Sequence, residues 1–211
     1  MKFRPAEQLI RHSQDLVTWH TMSTTPLTSA HLRGAAASIS ISAVFALVWG
    51  LNGSLALTAG WRFLALAVVV LISGVLAFLA LKFSREAAHA PAPSGTGAPP
   101  PNPFMTPAYR ISLIAMLVAF PVAARLLTAS GREDAIMPVI VIIVGLHFLG
   151  LVSAFRNGIF AWVAGAFCLL GGVSLLLPAE LRTPVLGLGC AVILWLGVLP
   201  LAFRSLAQLR R

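Results

Sequence analysis

Charge is scarce in this chain. Asp, Glu, Lys and Arg together make up 10% of its 211 residues, against roughly a quarter in a soluble domain, which excludes a water-soluble fold. Acidic residues are scarcer still. Glu7, Asp15, Glu86, Glu133, Asp134 and Glu180 all lie in polar tails or loops, so no carboxylate sits at membrane depth and a carboxylate-driven proton or sodium carrier is disfavoured. The two cysteines, Cys168 and Cys190, both fall inside apolar runs; they read as small packing residues and say nothing of redox compartment. Motifs of known chemistry are missing too. There is no Walker sequence, no G-x-S-x-G elbow, no H-E-x-x-H and no carboxylate pair in an apolar run, so the chain is not expected to be an enzyme and no cofactor or metal site is expected.

What remains is apolar sequence. Hydrophobic residues account for 58% and mean hydropathy is +0.91, while a bilayer core takes roughly 20 apolar residues per helical crossing. The runs predict an all-α membrane protein with six transmembrane helices: 35–51, 61–81, 109–128, 135–156, 159–177 and 184–203. Around them stand a polar tail (1–34), a Pro-rich linker (83–108) and a basic tail (205–211), which leaves spans one and two in 35–82 and spans three to six in 109–204. Asn52, Gly53 and Ser54 read as a short turn, Gly131 to Asp134 as a polar loop, Asn157-Gly158 as a hairpin turn, and 178–184 as a tight loop between two prolines. The first 34 residues are polar and lack a signal-peptide pattern, so no cleaved leader is expected.

Periodicity inside these segments points to packing. Gly34, Ser38, Ser42, Ala46 and Gly50 recur every four residues on the first span, and Ala164, Cys168 and Gly172 do so on the fifth, as small-residue seams that let helices approach. Within the tail, Pro5 to His20 fits an amphipathic interfacial helix with Ala6, Leu9, Ile10, Leu16 and Val17 on one face. His12, His20 and His31 match no metal-ligand spacing. The linker, rich in proline, reads as a tether.

The net charge of +9 does not mark a nucleic-acid binder, because the basic residues sit at span ends and not between aromatics. Lys2, Arg4, Arg11, Arg33, Lys82, Arg85, Arg110, Arg156, Arg204, Arg210 and Arg211 fall on the side of the termini, against Arg62, Arg125, Arg132 and Arg182 on the other. Since cytoplasmic loops are enriched in Lys and Arg, both termini are expected in the cytoplasm and the protein in a bacterial inner membrane. The partner expected first is the lipid bilayer, then a second copy or another membrane protein; no nucleic acid is expected.

The halves match in part. Setting Gly60 against Gly158 also matches Ile72–Val75 with Leu170–Val173 and puts Trp49 opposite His147. Past the linker, Pro121, Ala123, Arg125 and Leu127 match Pro200, Ala202, Arg204 and Leu206. Three spans per half would make this an inverted three-plus-three repeat, an arrangement that places transporter sites near the bilayer midplane.

His147 falls at that depth, at the centre of the fourth span. Ionisable groups there are rare and point to function. Desolvation opposes the charged ring, which leaves three readings: a neutral imidazole bonded to Ser42, Ser73, Ser112 or a carbonyl, a ligand-facing or proton-relay group, or a haem or metal ligand lacking its second histidine. Arg125, a turn from its span end, either extends to the interface or draws anions to a cavity mouth. The candidate ligand-binding set is His147, Arg125, Trp49 and Ser42.

Gly145-Leu146-His147-Phe148-Leu149 resembles the fourth span of a group of small uncharacterised bacterial six-span membrane proteins, approximately G-L-H-F-L-P-L-A. Gly150 stands where that pattern has proline. The resemblance covers roughly 136–199 and implies a six-helix bundle in a bacterial inner membrane, with no activity attached. The functional expectation is a small-solute transporter or channel-like carrier with a midplane cavity at His147. The alternatives are a non-transporting scaffold, sensor or accessory subunit and, third, an intramembrane enzyme or haem protein.

Overall fold

A computed structural model describes residues 28–91, 103–155 and 157–209. It is helical, with no strand among the described residues. Six helices follow in order: α1 (Ser29–Leu55), α2 (Ala59–His89), α3 (Pro107–Ala129), α4 (Ile136–Phe155), α5 (Ile159–Ser174) and α6 (Ala179–Leu209), with 3-10 turns at Pro103–Met105 and Glu133–Ala135. Five are long and apolar enough to cross a membrane, and α5, at 16 residues, is a shorter apolar helix. The amphipathic segment at 5–20, the middle of the linker (92–102), Arg156 and the last two arginines lie outside the described residues.

The helices outrun the apolar windows because capping, not hydropathy, sets their ends. Thr28 opens α1 by accepting from the His31 N–H at 3.4 Å, and Thr106 opens α3 by accepting from the Tyr109 N–H at 3.3 Å, with proline in the first turn of α3; both are ordinary N-caps. The helix α2 continues to His89, so the first residues assigned to the linker are helical. The expected loop at 178–184 is confined to 175–178. Pro184 instead sits buried in the second turn of α6, where it forgoes one backbone hydrogen bond without ending the helix.

The expected turn at Asn52–Ser54 is helix. Asn52 Nδ2 donates to the Val48 carbonyl at 3.0 Å, while Gly53 packs against α6: a Cβ built on it would lie 2.6 Å from the Leu188 nitrogen. Glycine is there for close approach between helices, not for a bend. The buried seam of α1 runs Leu32, Ala35, Ala36, Ile39, Ala43, Ala46, Gly50, Gly53 and Ser54, a three-and-four spacing that keeps one face turned toward α2 and α6. Gly50 meets Val69 of α2, whereas Gly34 faces open space. The anticipated small-residue stripe is thus divided: Ala46 and Gly50 pack, and Ser38 and Ser42 lie on a neighbouring face.

Packing follows the spatial order α2–α1–α6–α5–α4–α3. On α4, Gly145 sits where a Cβ would be 2.7 Å from Cys168 Sγ, and on α5 Gly171 sits against Ile142 and the Pro138 carbonyl. The α5 seam is therefore Ala164, Cys168 and Gly171, with Gly172 in open space. At the end of the row, α3 packs chiefly on α4 among the described helices, has no fully buried residue, and is brought close by Gly150, whose missing side chain leaves room for Ser112.

Two loops share a lock. Ser54-Leu55-x-Leu57-x-Ala59-x-x-Arg62 and Ser174-Leu175-x-Leu177-x-Ala179-x-x-Arg182 have the same pattern, with both serines fully buried. In each, the arginine reaches back to the leucine carbonyl: Arg62 Nε and Nη2 donate to Leu57 at 3.2 and 3.1 Å, and Arg182 Nε donates to Leu177 at 3.0 Å. Arg182 also pairs with the Asp134 carboxylate and donates to the Asp134 carbonyl at 3.3 Å. That contact puts the α3–α4 and α5–α6 connections at one end of the bundle, so α5 with its apolar turn returns the full height of α4. At the opposite end, the Ser29 N–H donates to the Pro91 carbonyl at 3.1 Å.

Candidate functional site

Because α3 closes on α4 but forms no packed interface with α1, a space is left between them. It is a cavity of about 380 Å³, within the roughly 300–1,000 Å³ usual for small-molecule sites. One wall is the α1 face carrying Ser38, Ile41, Ser42, Phe45, Val48 and Trp49. The other is Tyr109, Leu113, Met116 and Phe120 of α3. Ile140, Val144, His147, Phe148 and Leu151 of α4, with Phe167 of α5 and Leu194 of α6, form the floor. The three-and-four spacing on α1, α3 and α4 is what turns each set toward one space.

Three of the four sequence candidates meet here. His147, Trp49 and Ser42 line the same cavity, the first on α4 and the other two facing it from α1. Arg125 does not: it is exposed on α3 and is not among the lining residues. Of the three serines considered as partners for His147, Ser112 Oγ donates to the Tyr109 carbonyl at 3.0 Å and Ser73 Oγ, on α2, is buried without a partner. The His147 ring meets the Ser112 backbone, while its Nδ1 is buried with no hydrogen-bond partner among the described residues, a state shared with Ser54 Oγ and Trp195 Nε1. A buried polar atom left unpaired costs about 1–3 kcal/mol, and the ring that carries His147 Nδ1 lines the cavity.

Aromatic rings fill one end. Phe104, from the 3-10 turn before α3, meets Tyr109 and Phe155 edge-on, with ring centroids 5.3 and 5.2 Å apart. Phe155 continues to Phe160 at 5.2 Å, and Phe148 bridges Phe160 and Phe167 at 6.2 and 5.6 Å. Tyr109 and Phe148 each stand 6.2 Å from the His147 ring. The ring cluster has no local pattern in the sequence; its one signal there is Tyr109, the only tyrosine of the chain.

The polar lining residues of the cavity are Ser38, Ser42, Tyr109, Trp49 and His147; no Lys, Arg, Asp or Glu among the described residues lines it. Such a set can hydrogen-bond an uncharged group and stack against a flat or chain-like apolar body. Among the described residues, no group of three His, Cys, Asp or Glu side chains is placed to hold a metal ion. Set against family models, curated proteins and solved structures, the chain matches none.

Proposed function

We propose that this protein is a six-crossing carrier of a small solute in a bacterial inner membrane, with its site in the cavity beside His147. The observation that carries the reading is the convergence of Ser42 and Trp49 from α1 and His147 from α4 on one space while His147 Nδ1 has no partner. His147 is the twelfth of the twenty residues of α4, so it falls near the middle of a crossing, the depth at which carrier sites are built. The full-height return of α5 supports a sixth crossing. Arg62, Arg132 and Arg182 at one end, against the larger basic group at the other, support cytoplasmic termini. The resemblance at Gly145–Leu149 fits this placement.

The inverted three-plus-three relation rests on sequence matches such as Gly60 with Gly158. The shared arginine lock instead relates α1–α2 to α5–α6, two pairs that run in the same direction in a six-crossing topology. A carrier reading needs only the cavity and stands with either relation.

The test is exchange in liposomes. Purified protein is reconstituted in vesicles loaded with an isotope-labelled small-molecule extract of bacterial cells, and the species released are identified by mass spectrometry. The carrier reading expects at least one species released by the wild type and retained with Ser42→Trp, which fills the cavity. Retention of every species by both proteins contradicts it.

A further inference from the structure

We infer that the cavity takes an uncharged amphiphile from the bilayer itself, a molecule with a long apolar chain and a hydroxyl or carbonyl head, entering sideways between α1 and α3. The inference rests on the carrier reading and names the substrate class of that site. Its first support is the position of the opening. Ile41, Phe45 and Val48 line the cavity and yet are 46, 55 and 51% exposed; they lie in the middle of α1, so the open side is at hydrocarbon depth and not at a helix end. Facing them, α3 has no fully buried residue and no packed interface with α1, so no helix among the described residues closes that side. At the end nearest Phe104 the lining is aromatic, with Phe155 and Phe160 beside it.

The lining supplies the second support. A charged head group would be desolvated there against no opposite charge, at a cost no hydrogen bond offsets. An uncharged hydroxyl or carbonyl needs only donors or acceptors, and the lining offers them on Ser38, Ser42, Trp49, Tyr109 and His147. The apolar chain then lies along Phe45, Leu113 and Met116, which are hydrophobic and so favour it over water.

The experiment uses the full chain in phosphatidylcholine vesicles with trace diazirine-bearing long-chain alcohol, and with the matching carboxylate and phosphocholine analogues in parallel. After illumination, adducts are mapped by mass spectrometry. The alcohol is expected to label the Phe45, Leu113 and Met116 walls, to be displaced by unlabelled alcohol, and to lose that displaceable labelling in Ser42→Trp. Labelling of Phe63 and Phe78 on the outer face of α2, exposed at 74 and 66%, should be neither displaced nor changed. His147→Ala should lower cavity labelling by the alcohol about fivefold, the worth of one hydrogen bond, while leaving a head-free diazirine alkane unaffected. Equal, non-displaceable labelling of cavity and α2 faces overturns the inference, as does stronger labelling by the carboxylate or the phosphocholine.

A water-borne thiol reagent applied to Ser42→Cys separates the two readings. If it reacts while the alcohol fails to label, the cavity opens to water and the lipid inference falls with the carrier reading intact. If neither reaches the site, both fall.

Discussion

Gly53 of α1 and Gly187 of α6 face each other with no room for a side chain on either: a Cβ on Gly53 would lie 2.9 Å from the Gly187 carbonyl carbon, and one on Gly187 would run into the Gly53 backbone and the Trp49 carbonyl. Backbone, unlike a side-chain tip, cannot rotate away. Gly187→Ala is therefore expected to force α1 from α6 and to destabilise the bundle by about 1–3 kcal/mol, as overpacking does, and to shift Trp49 at the cavity wall. Gly34→Ala is the control, because open space surrounds Gly34 and the change should be neutral or stabilising by about 0.5–1 kcal/mol. Thermal unfolding of the two variants in detergent reads the difference; equal melting of both contradicts the crossing.

The Arg182 lock predicts an asymmetry. Its guanidinium, with the side chain 16% exposed, serves Leu175, Leu177 and the Asp134 carbonyl as well as the Asp134 carboxylate, which is 55% exposed. Asp134→Asn removes only a solvent-screened charge and should cost about 0–1 kcal/mol. Arg182→Ala leaves several carbonyls at the α5 end without a donor and should cost about 1–3 kcal/mol. Thermal melting of the single variants checks this, and an equal effect of both would reduce the lock to a simple ion pair.

At Gly150 the close approach is to a side chain, Ser112 on α3, so the expected defect is repairable. Gly150→Ala should loosen α3 and lower the melting temperature, and Ser112→Gly in the same chain should restore part of it. Coupling of about 0.5–3 kcal/mol is typical for residues in contact. Additive effects in the double variant would show that Ser112 is not what the alanine meets.

These cases explain what was legible in the sequence. Hydropathy located every helix, since burial of about 20 apolar residues is a property of a window. Helix ends were misplaced because they depend on single residues such as Thr28 and Thr106. Gly53 was read as a turn because its reason for being glycine, Gly187, lies far along the chain and leaves no local trace. The same limit applies to the site. His147 stands out because ionisable groups are rare at that depth, and Trp49 and Ser42 do share its cavity, but Arg125 shares only sequence character with a site residue and is exposed away from the cavity lining. Phe104, Tyr109 and Phe148 acquire meaning only when the 3-10 turn brings one ring to the next.

His147 should behave as a binding residue and not as a structural one. Its Nδ1 has no partner and the ring's polar contact is with the Ser112 backbone, so His147→Leu sets relief of an unpaired polar atom against loss of one hydrogen bond and is expected to leave the melting temperature nearly unchanged. A fall comparable to Gly187→Ala, measured by the same thermal unfolding, would mean that the imidazole holds the helices together.

The measurement that bears most directly on the cavity is native mass spectrometry of the purified protein released from detergent micelles, wild type beside Ser42→Trp. The account predicts an added mass of small-molecule size on the wild type, absent from Ser42→Trp and reduced in His147→Leu. The same bound mass in wild type and Ser42→Trp, or none in either, would contradict a ligand site between α1, α3 and α4.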